Sequence, residues 1–154
     1  MEDSAKVRKA KKIKTKKAGL PPGSIVYTGD RSTNNSAEIK IKVFDYTENE
    51  LNEKEIKNVE ECLQYSETQS VSWINIDGVH DTNIIQRIGE HFKIHPLVLE
   101  DIVHPTQRPK VEEHEGYLYI VLRMLDFDSV KNCTASEQIS IILTHNCVIS
   151  FQEN

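Results

Sequence analysis

The chain has 154 residues, 38% of them hydrophobic, and its 19 basic and 24 acidic side chains give a formal net charge of −5. This length and apolar content suit one globular domain with its own core. No apolar run reaches the ~18 residues of a membrane span, and no apolar segment follows the basic start, so we expect a soluble chain without a cleavable signal. The three cysteines form no Cys-x-x-Cys pair, which argues against a disulfide framework or a zinc ribbon and favours a reducing compartment.

The charge is divided unevenly along the chain. Residues 1–17 hold eight basic and two acidic side chains, a net charge of +6, which leaves −11 for the rest. A lysine-rich end can contact nucleic acid or an anionic membrane, but blocks of like charge are more often solvated tails. Residues 1–18 are therefore predicted to be a basic, disordered tail with no nucleic-acid partner, and residues 19–154 are predicted to be the folded domain.

The first predicted elements are two short strands. A Gly-Leu-Pro-Pro-Gly turn at residues 19–23 leads into a β-rich run at residues 25–28. A polar loop at residues 31–37 follows, and residues 38–46 then alternate between apolar and charged side chains, as in a half-buried strand. We expect the two strands to pair with each other.

The next segment is predicted to be helical. Thr47 and Glu50 match a helix-capping box, and apolar residues then recur at approximately helical spacing as far as Tyr65, namely Leu51, Ile56, Val59 and Leu63. One amphipathic helix or two short helices are expected here. The glutamates of this segment are interpreted as its solvated face rather than as a cation site.

A strand and two helices are predicted next. Residues 71–77 form a β-rich run, and Asp81 or Thr82 can cap a helix whose apolar side chains share one face. Pro96 suits the first position of a further short helix, which Pro105 ends. From residue 111 onward the pattern is β, with strands predicted at 116–127, 137–144 and 147–151 in an antiparallel meander. The sequence therefore predicts an α+β fold, with a mixed, largely antiparallel β-sheet and flanking helices.

Glu100 and Asp101 are the strongest candidates for binding chemistry. Consecutive helix residues point about 100° apart, so the two carboxylates cannot converge on one point within a chain. The helix also has more apolar residues than one face needs, which favours cover by a second chain. Facing carboxylates at such an interface repel each other unless a cation lies between them, and Mg²⁺ suits one or two carboxylates. The alternative is a surface pair that forms a salt bridge with Arg108 or Lys110.

A second pair of metal-ligand type is His91 and His95, whose spacing of four places two imidazoles on one helix face. Pro96 disrupts that geometry, and Phe92 stands where a zincin has glutamate. We therefore interpret both histidines as structural or exposed. No motif for a nucleophile, a phosphate or a dinucleotide is recognised, so no catalytic residue is assigned and the chain is not expected to be an enzyme.

Several motifs, taken in order, together resemble one known family. They are Gly-Leu-Pro-Pro-Gly at 19–23, Val-Tyr-Thr-Gly at 26–29, Trp-Ile-Asn at 73–75, the helix at 95–101, Gln-Arg-Pro-Lys at 107–110, Gln-Ile-Ser at 138–140 and Phe-Gln-Glu at 151–153. This set resembles the amino-terminal cytoplasmic domain of the CorA family of magnesium channels. The resemblance covers nearly all of residues 19–154.

The resemblance implies an α/β/α sandwich that forms the funnel wall of a homopentamer on the cytoplasmic side of the membrane. It implies that Mg²⁺ is both the transported ion and a regulatory ligand, with Co²⁺ and Ni²⁺ as further cargo. Cations bound between neighbouring domains would favour the closed channel. Asp101 is implied to contribute to one of these sites, and Glu100 to an adjoining site near the backbone of Leu20.

The sequence ends before the stalk helix and the pore of that family. Half of each implied site would therefore lie outside it, the chain is not expected to conduct ions, and the sheet face that the stalk covers is expected to promote self-association. Two alternatives stay open: a related zinc-type transporter, because selectivity depends largely on the pore, and a freestanding soluble metal-binding module.

Overall fold

The computed structural model describes residues 19–29, 38–130 and 132–153. Within these ranges there are seven β-strands: β1 Lys40–Tyr46, β2 Leu51–Ile56, β3 Val71–Asp77, β4 Lys110–His114, β5 Tyr117–Asp128, β6 Cys133–Leu143 and β7 Cys147–Gln152. The helices there are α1 Val59–Leu63, α2 Thr82–His91 and α3 Pro96–Ile102, and a 3-10 helix, Gln64–Glu67, follows α1. The predicted tail at 1–18 and the predicted loop at 31–37 lie outside the described residues.

The strands form one sheet in the order β2-β1-β3-β7-β6-β5-β4. Neighbouring strands are antiparallel except for β3 and β7, which are parallel at the centre of the sheet. Short turns connect the antiparallel meander from β4 to β7, whereas parallel strands require a long connection, here through α2, α3 and the meander. The predicted α+β class and the mixed, largely antiparallel sheet are confirmed.

One face of the sheet carries the hydrophobic core. A row of directly paired, buried side chains crosses five strands on this face: Val43, Ile74, Ile149, Ile142 and Tyr119. Buried side chains of α1, α2 and α3 belong to the same core. Successive side chains of a strand alternate between faces, so the residues between these point to the opposite side. The described helices form one layer on one face, and none of them is long and apolar enough to cross a membrane.

All three cysteines are free thiols. Cys62 and Cys147 are buried in the core, and burial raises the pKa of each thiol to about 12. Both are therefore neutral at physiological pH, and they pack as small apolar side chains rather than as reactive groups.

Residues 25–28, which were predicted to pair with the next strand, are not part of the sheet. β1 has β2 on one side and β3 on the other, so neither of its edges is available. The segment instead lies beside the C-terminal end of α3, where the Thr28 N–H donates a hydrogen bond to the Val103 carbonyl at 3.3 Å. Tyr27 is only 1% exposed. The β-rich composition of this segment therefore reflects burial in the core rather than strand pairing.

The prediction of a helix from the Thr47 capping pattern onward is wrong for its first half. Thr47 Oγ1 accepts hydrogen bonds from the N–H groups of Asn49 and Glu50 at 3.4 and 3.2 Å, but these bonds close the turn of the β1–β2 hairpin. The residues that follow form β2, which pairs with β1, and the α-helix begins only at Val59. A threonine hydroxyl makes the same local bonds in a turn and at a helix start, so the pattern does not distinguish them.

Candidate metal site

The two histidines singled out in the sequence have structural roles. His95 is the N-cap of α3, where its Nδ1 accepts a hydrogen bond from the Leu97 N–H at 3.2 Å. Pro96 occupies the first turn, where its missing N–H leaves no intrahelical bond unmade. His91 Nε2 lies 2.8 Å from Ser66 Oγ. The interpretation of both histidines as structural is confirmed: His91 links α2 to Ser66 of the 3-10 helix, and His95 caps the start of α3.

The apolar side chains of α3 hold the helix on the core and leave its two carboxylates on the partly exposed side. Val98, Leu99 and Ile102 are buried within the chain. The apolar excess that favoured cover by a second chain is therefore mostly explained by the chain's own core. Leu97 is the exception, because it is 49% exposed.

Glu100 is bonded to the Gly-Leu-Pro-Pro-Gly turn. Its Oε2 accepts a hydrogen bond from the Gly23 N–H at 2.7 Å. Gly23 has φ +80°, and a Cβ at this position would lie 3.1 Å from the Cβ of Pro96 at the start of α3. Leu20 is 46% exposed and lines a shallow depression together with Glu100 and Leu97. Two of the predicted site residues, Leu20 and Glu100, therefore share one surface depression.

Asp101 has a different set of partners. Its Oδ1 accepts a hydrogen bond from Gln107 Nε2 at 2.8 Å, and its Oδ2 accepts one from Lys110 Nζ at 2.7 Å. Its backbone carbonyl accepts a hydrogen bond from Gln138 Nε2 at 3.2 Å. The alternative prediction of a salt bridge with Lys110 is confirmed. The two adjacent carboxylates thus bind different partners, as consecutive positions on a helix require.

Lys110, at the start of β4, lies between two carboxylates. Its Nζ is 2.7 Å from Asp101 Oδ2, 2.9 Å from Glu112 Oε1 and 5.1 Å from the centre of the Tyr119 ring. Partial burial alone would lower the pKa of Lys110, but the hydrogen bonds to Asp101 and Glu112 outweigh it, and the pKa is raised. Lys110 therefore carries a positive charge throughout the physiological pH range.

A buried polar network fixes the segment between α3 and β4. Gln138 is 3% exposed, and its Oε1 accepts a hydrogen bond from the Gln107 N–H at 2.9 Å. The guanidinium of Arg123 donates to the carbonyls of Pro105 and Gln107 at 3.2 and 3.0 Å. These bonds hold the Gln107 backbone where its side chain donates to Asp101. Strands β5 and β6, which carry Arg123 and Gln138, therefore contribute to the position of that carboxylate.

The amino-acid sequence matches one protein family over residues 68–154, which is more than half of the chain, and the family is described as CorA-like Mg²⁺ transporter protein. The chain belongs to this family. The cobalt/magnesium transport protein CorA of Thermotoga maritima is 47% identical to it over 143 residues. That match covers 93% of the CorA-like chain but 39% of the relative, so the chain spans about two fifths of the relative's length.

Solved structures share the fold of the CorA-like chain. The complete CorA magnesium transporter of Methanocaldococcus jannaschii has a TM-score of 0.53 at 14% identity, covering 77% of this chain and 33% of that one. The full-length CmaX protein has a TM-score of 0.56 at 10% identity, covering 77% of this chain and 37% of that one. At these identities the similarity establishes the fold alone.

The carboxylate oxygens of the CorA-like chain are of the type that a hard divalent cation accepts, but they are too few to hold one without further ligands. Glu100 and Asp101 line a depression of about 650 Å³ together with Glu112, and carboxylate oxygens are ligands that Mg²⁺ accepts, usually one or two per ion. Within the described ranges, no group of three or more His, Cys, Asp or Glu side chains is placed to hold a metal ion. A divalent ion at these carboxylates would therefore need water or a second chain for its other ligands.

Sequence reasoning identified the two carboxylates and the Lys110 salt bridge but missed the other groups that bind them. The Gly23 N–H is 77 positions from Glu100, and Gln138 is 37 positions from Asp101. No local spacing connects such distant residues. The available signal was the Gln-Arg-Pro-Lys motif, because it contains Gln107, which binds the same carboxylate as Lys110.

Proposed function

We propose that this chain is the Mg²⁺-sensing regulatory domain of a homopentameric divalent-cation channel. In this proposal the regulatory domain covers residues 19–154 and lies on the cytoplasmic side of the cell membrane. Transmembrane helices outside this sequence form the pore, which transports Mg²⁺, with Co²⁺ and Ni²⁺ as further cargo. The chain has no catalytic role.

Membership of the CorA-like family supports the transport role. The Thermotoga maritima relative is named as a cobalt/magnesium transport protein, and the chain matches 39% of its length. Because the chain corresponds to only part of such a transporter, we assign it one of the transporter's functions. The function assigned is control, because the chain presents two adjacent carboxylates on the partly exposed side of α3.

The observation that carries the proposal is the divergence of Glu100 and Asp101 on the partly exposed side of α3. Glu100 shares a depression with Leu20, whose backbone the proposal adds to the Glu100 half-site, and Asp101 is bound on the side of β4. Glu100 and Asp101 line one depression but bind different partners. Two such adjoining half-sites on one short helix suit an interface at which a neighbouring copy completes each shell. Mg²⁺ fits such sites because it accepts few carboxylates and keeps several waters.

The regulation follows from linkage between ion binding and subunit packing. An ion that binds the closed packing of subunits more tightly than the open packing shifts the population toward the closed channel. When the ion is absent, facing carboxylates repel each other and favour the open packing. The closed-to-open equilibrium can shift by no more than the ratio of the ion's affinities for the two packings, and such ratios are typically 5- to 150-fold.

Asp101→Asn tests the proposal because it keeps the side-chain size and removes the charge. In the complete transporter, we expect the internal Mg²⁺ concentration at half-maximal inhibition to rise by about fivefold or more, with conduction retained. The reason is that a neutral amide is a weaker ligand for Mg²⁺ than a carboxylate. The measurement is Mg²⁺ flux in proteoliposomes, titrated with Mg²⁺ on the side of this domain.

Asp126→Asn is the matched control, because Asp126 is an exposed carboxylate on β5. This variant should show the same half-inhibition concentration as the unchanged protein. Unaltered Mg²⁺ inhibition in Asp101→Asn would remove Asp101 from the sensor and contradict the proposal.

A further inference from the structure

The Lys110 ammonium already occupies one oxygen of the proposed sensor carboxylate. Its Nζ lies 2.7 Å from Asp101 Oδ2, while Gln107 Nε2 donates to Oδ1 at 2.8 Å. The side chains of Lys110 and Asp101 are 28% and 26% exposed, so water screens this ion pair only in part. A divalent ion that reaches Asp101 meets a bound cation rather than a free carboxylate.

We propose that Lys110 is a tethered cation that competes with the divalent ion for Asp101 and thereby sets the ion concentration at which the sensor responds. This inference rests on the proposed function, because it concerns the affinity of the same site. The divalent ion must displace the Lys110 ammonium from Asp101 Oδ2. Because the ion pair between Lys110 and Asp101 is lost in this exchange, the net free energy of ion binding is less favourable by the free energy of that pair. The ion pair therefore weakens the apparent affinity of Asp101 for the ion.

Glu112 makes the displacement feasible. Lys110 Nζ is 2.9 Å from Glu112 Oε1, so it keeps a carboxylate partner when it leaves Asp101. The flexible four-carbon stem of lysine allows this shift without movement of the backbone. The exchange leaves no charged group without a partner of opposite charge. Before it, Asp101 and Glu112 share the Lys110 ammonium; after it, Asp101 binds the divalent ion and Glu112 keeps Lys110.

This geometry predicts opposite effects for the two neighbours of Asp101. Removal of the Lys110 charge leaves Asp101 Oδ2 open to the ion and should strengthen binding. Removal of the Glu112 charge leaves Asp101 as the remaining carboxylate bound to Lys110, and it also takes a negative charge from the site. The loss of Glu112 should therefore weaken binding of the divalent ion.

The experiment compares variants of the complete transporter in the Mg²⁺ inhibition assay. Lys110→Met keeps most of the side-chain stem and removes the charge, and we expect it to lower the half-inhibition concentration by about two- to fivefold, a range that corresponds to a partly exposed ion pair. Glu112→Gln should raise that concentration. The double variant Lys110→Met/Asp101→Asn should behave like Asp101→Asn, because no carboxylate remains at position 101 for which the two cations compete.

Lys54→Met is the matched control, because Lys54 also has a carboxylate partner, Glu61 at 2.8 Å, but lies on β2. It should leave the half-inhibition concentration unchanged. Thermal unfolding without divalent ions checks that each variant is folded. If Lys110→Met does not fold, the increase expected for Glu112→Gln still tests the inference.

The outcomes separate this inference from the proposed function. If Asp101→Asn raises the half-inhibition concentration but Lys110→Met leaves it unchanged or raises it, Lys110 does not compete with the ion and the inference is overturned while the sensor proposal stands. If Asp101→Asn has no effect, the sensor proposal fails, and the inference fails with it.

Discussion

The hydrogen bond from the Gly23 N–H to Glu100 joins two segments that are far apart in the sequence. It couples the Gly-Leu-Pro-Pro-Gly turn, including Leu20, to the helix that carries both proposed ligands. A hydrogen bond to a charged group contributes about 1.5–3 kcal/mol, less where water reaches it. This hydrogen bond and the close approach of Gly23 to Pro96 therefore fix the position of the turn relative to α3.

Gly23→Ala tests this coupling. A side chain at φ +80° is strained, and the new Cβ would lie 3.1 Å from the Cβ of Pro96. We expect the free energy of unfolding to fall by roughly 2–3 kcal/mol, of which the backbone strain accounts for about 1–2 kcal/mol. The measurement is urea denaturation of the chain.

Gly116→Ala is the control for that prediction, because Gly116 has φ +86° but nothing within 4 Å of a Cβ built there. In Gly116→Ala, the free energy of unfolding should fall only by the backbone-strain contribution of about 1–2 kcal/mol. Equal losses in the two variants would mean that the contact between the turn and α3 adds no stability.

At the scale of secondary-structure elements, the position of the proposed ligands depends on how α2 packs against α3. Gly89 in α2 meets the Leu99 side chain so closely that a Cβ at position 89 would contact Leu99 Cδ1 and lie 2.8 Å from its Cδ2. Leu99 is 4% exposed and immediately precedes Glu100. The small residue therefore sets the distance between the two helices and, through it, the position of both carboxylates.

Gly89→Ala should consequently lower the free energy of unfolding by about 1–3 kcal/mol, because the added methyl group overfills a packed contact. It should also change the Mg²⁺ response of the complete transporter, since a shift of Leu99 carries Glu100 with it. Chemical denaturation and the Mg²⁺ titration measure the two effects.

A double-mutant cycle with Leu99→Ala identifies the cause. Leu99→Ala alone should cost about 2–5 kcal/mol because it leaves a cavity. In the double variant the methyl group at position 89 enters that space, so the combined loss should be smaller than the sum of the single losses. Additive losses would show that the two positions are not coupled through this contact.

At the scale of the whole molecule, one face of the sheet has no helix of the described chain packed against it. A row of paired residues crosses this face: Phe44, Trp73, Val148, Leu143 and Leu118. Trp73 stacks on Phe44 with ring centres 5.0 Å apart, yet it is 41% exposed. A continuous apolar surface of this kind is typical of an interface.

We expect the isolated chain to self-associate through this face. The double substitution Leu122→Lys and Leu143→Lys places two charges on the patch, because Leu122 and Leu143 point to the same side as Trp73 by strand alternation. It should shift the chain toward the monomer by at least about tenfold in dissociation constant. Sedimentation velocity over a range of concentrations measures this shift.

Leu125→Lys is the comparison variant, because Leu125 is 68% exposed but alternates to the opposite side of β5. It should leave the association unchanged. If the isolated chain is monomeric at high concentration, or if the double substitution has no effect, the open face is not the surface of association.

The sequence predicted well those elements whose signal is local. Helix α2 has its Asp81 cap and one apolar face, α3 has Pro96 in its first turn, and β3 alternates clearly between buried and exposed side chains. The adjacent carboxylates were also identifiable, because their divergence follows from helix geometry alone. The site itself stays a prediction that the Asp101 and Lys110 variants test.

Local signals failed where two structures satisfy the same pattern. The α+β class, the central strand β3 and the helix that carries Glu100 and Asp101 follow from the amino-acid pattern alone, because periodicity, capping and proline geometry act within a few residues. Long-range contacts, in contrast, make residues 51–56 an edge strand, pack Tyr27 into the core outside the sheet, and bring Gln107 and Gly23 to the carboxylates. These outcomes depend on which distant segments meet, and the free energy of such contacts outweighs local preference.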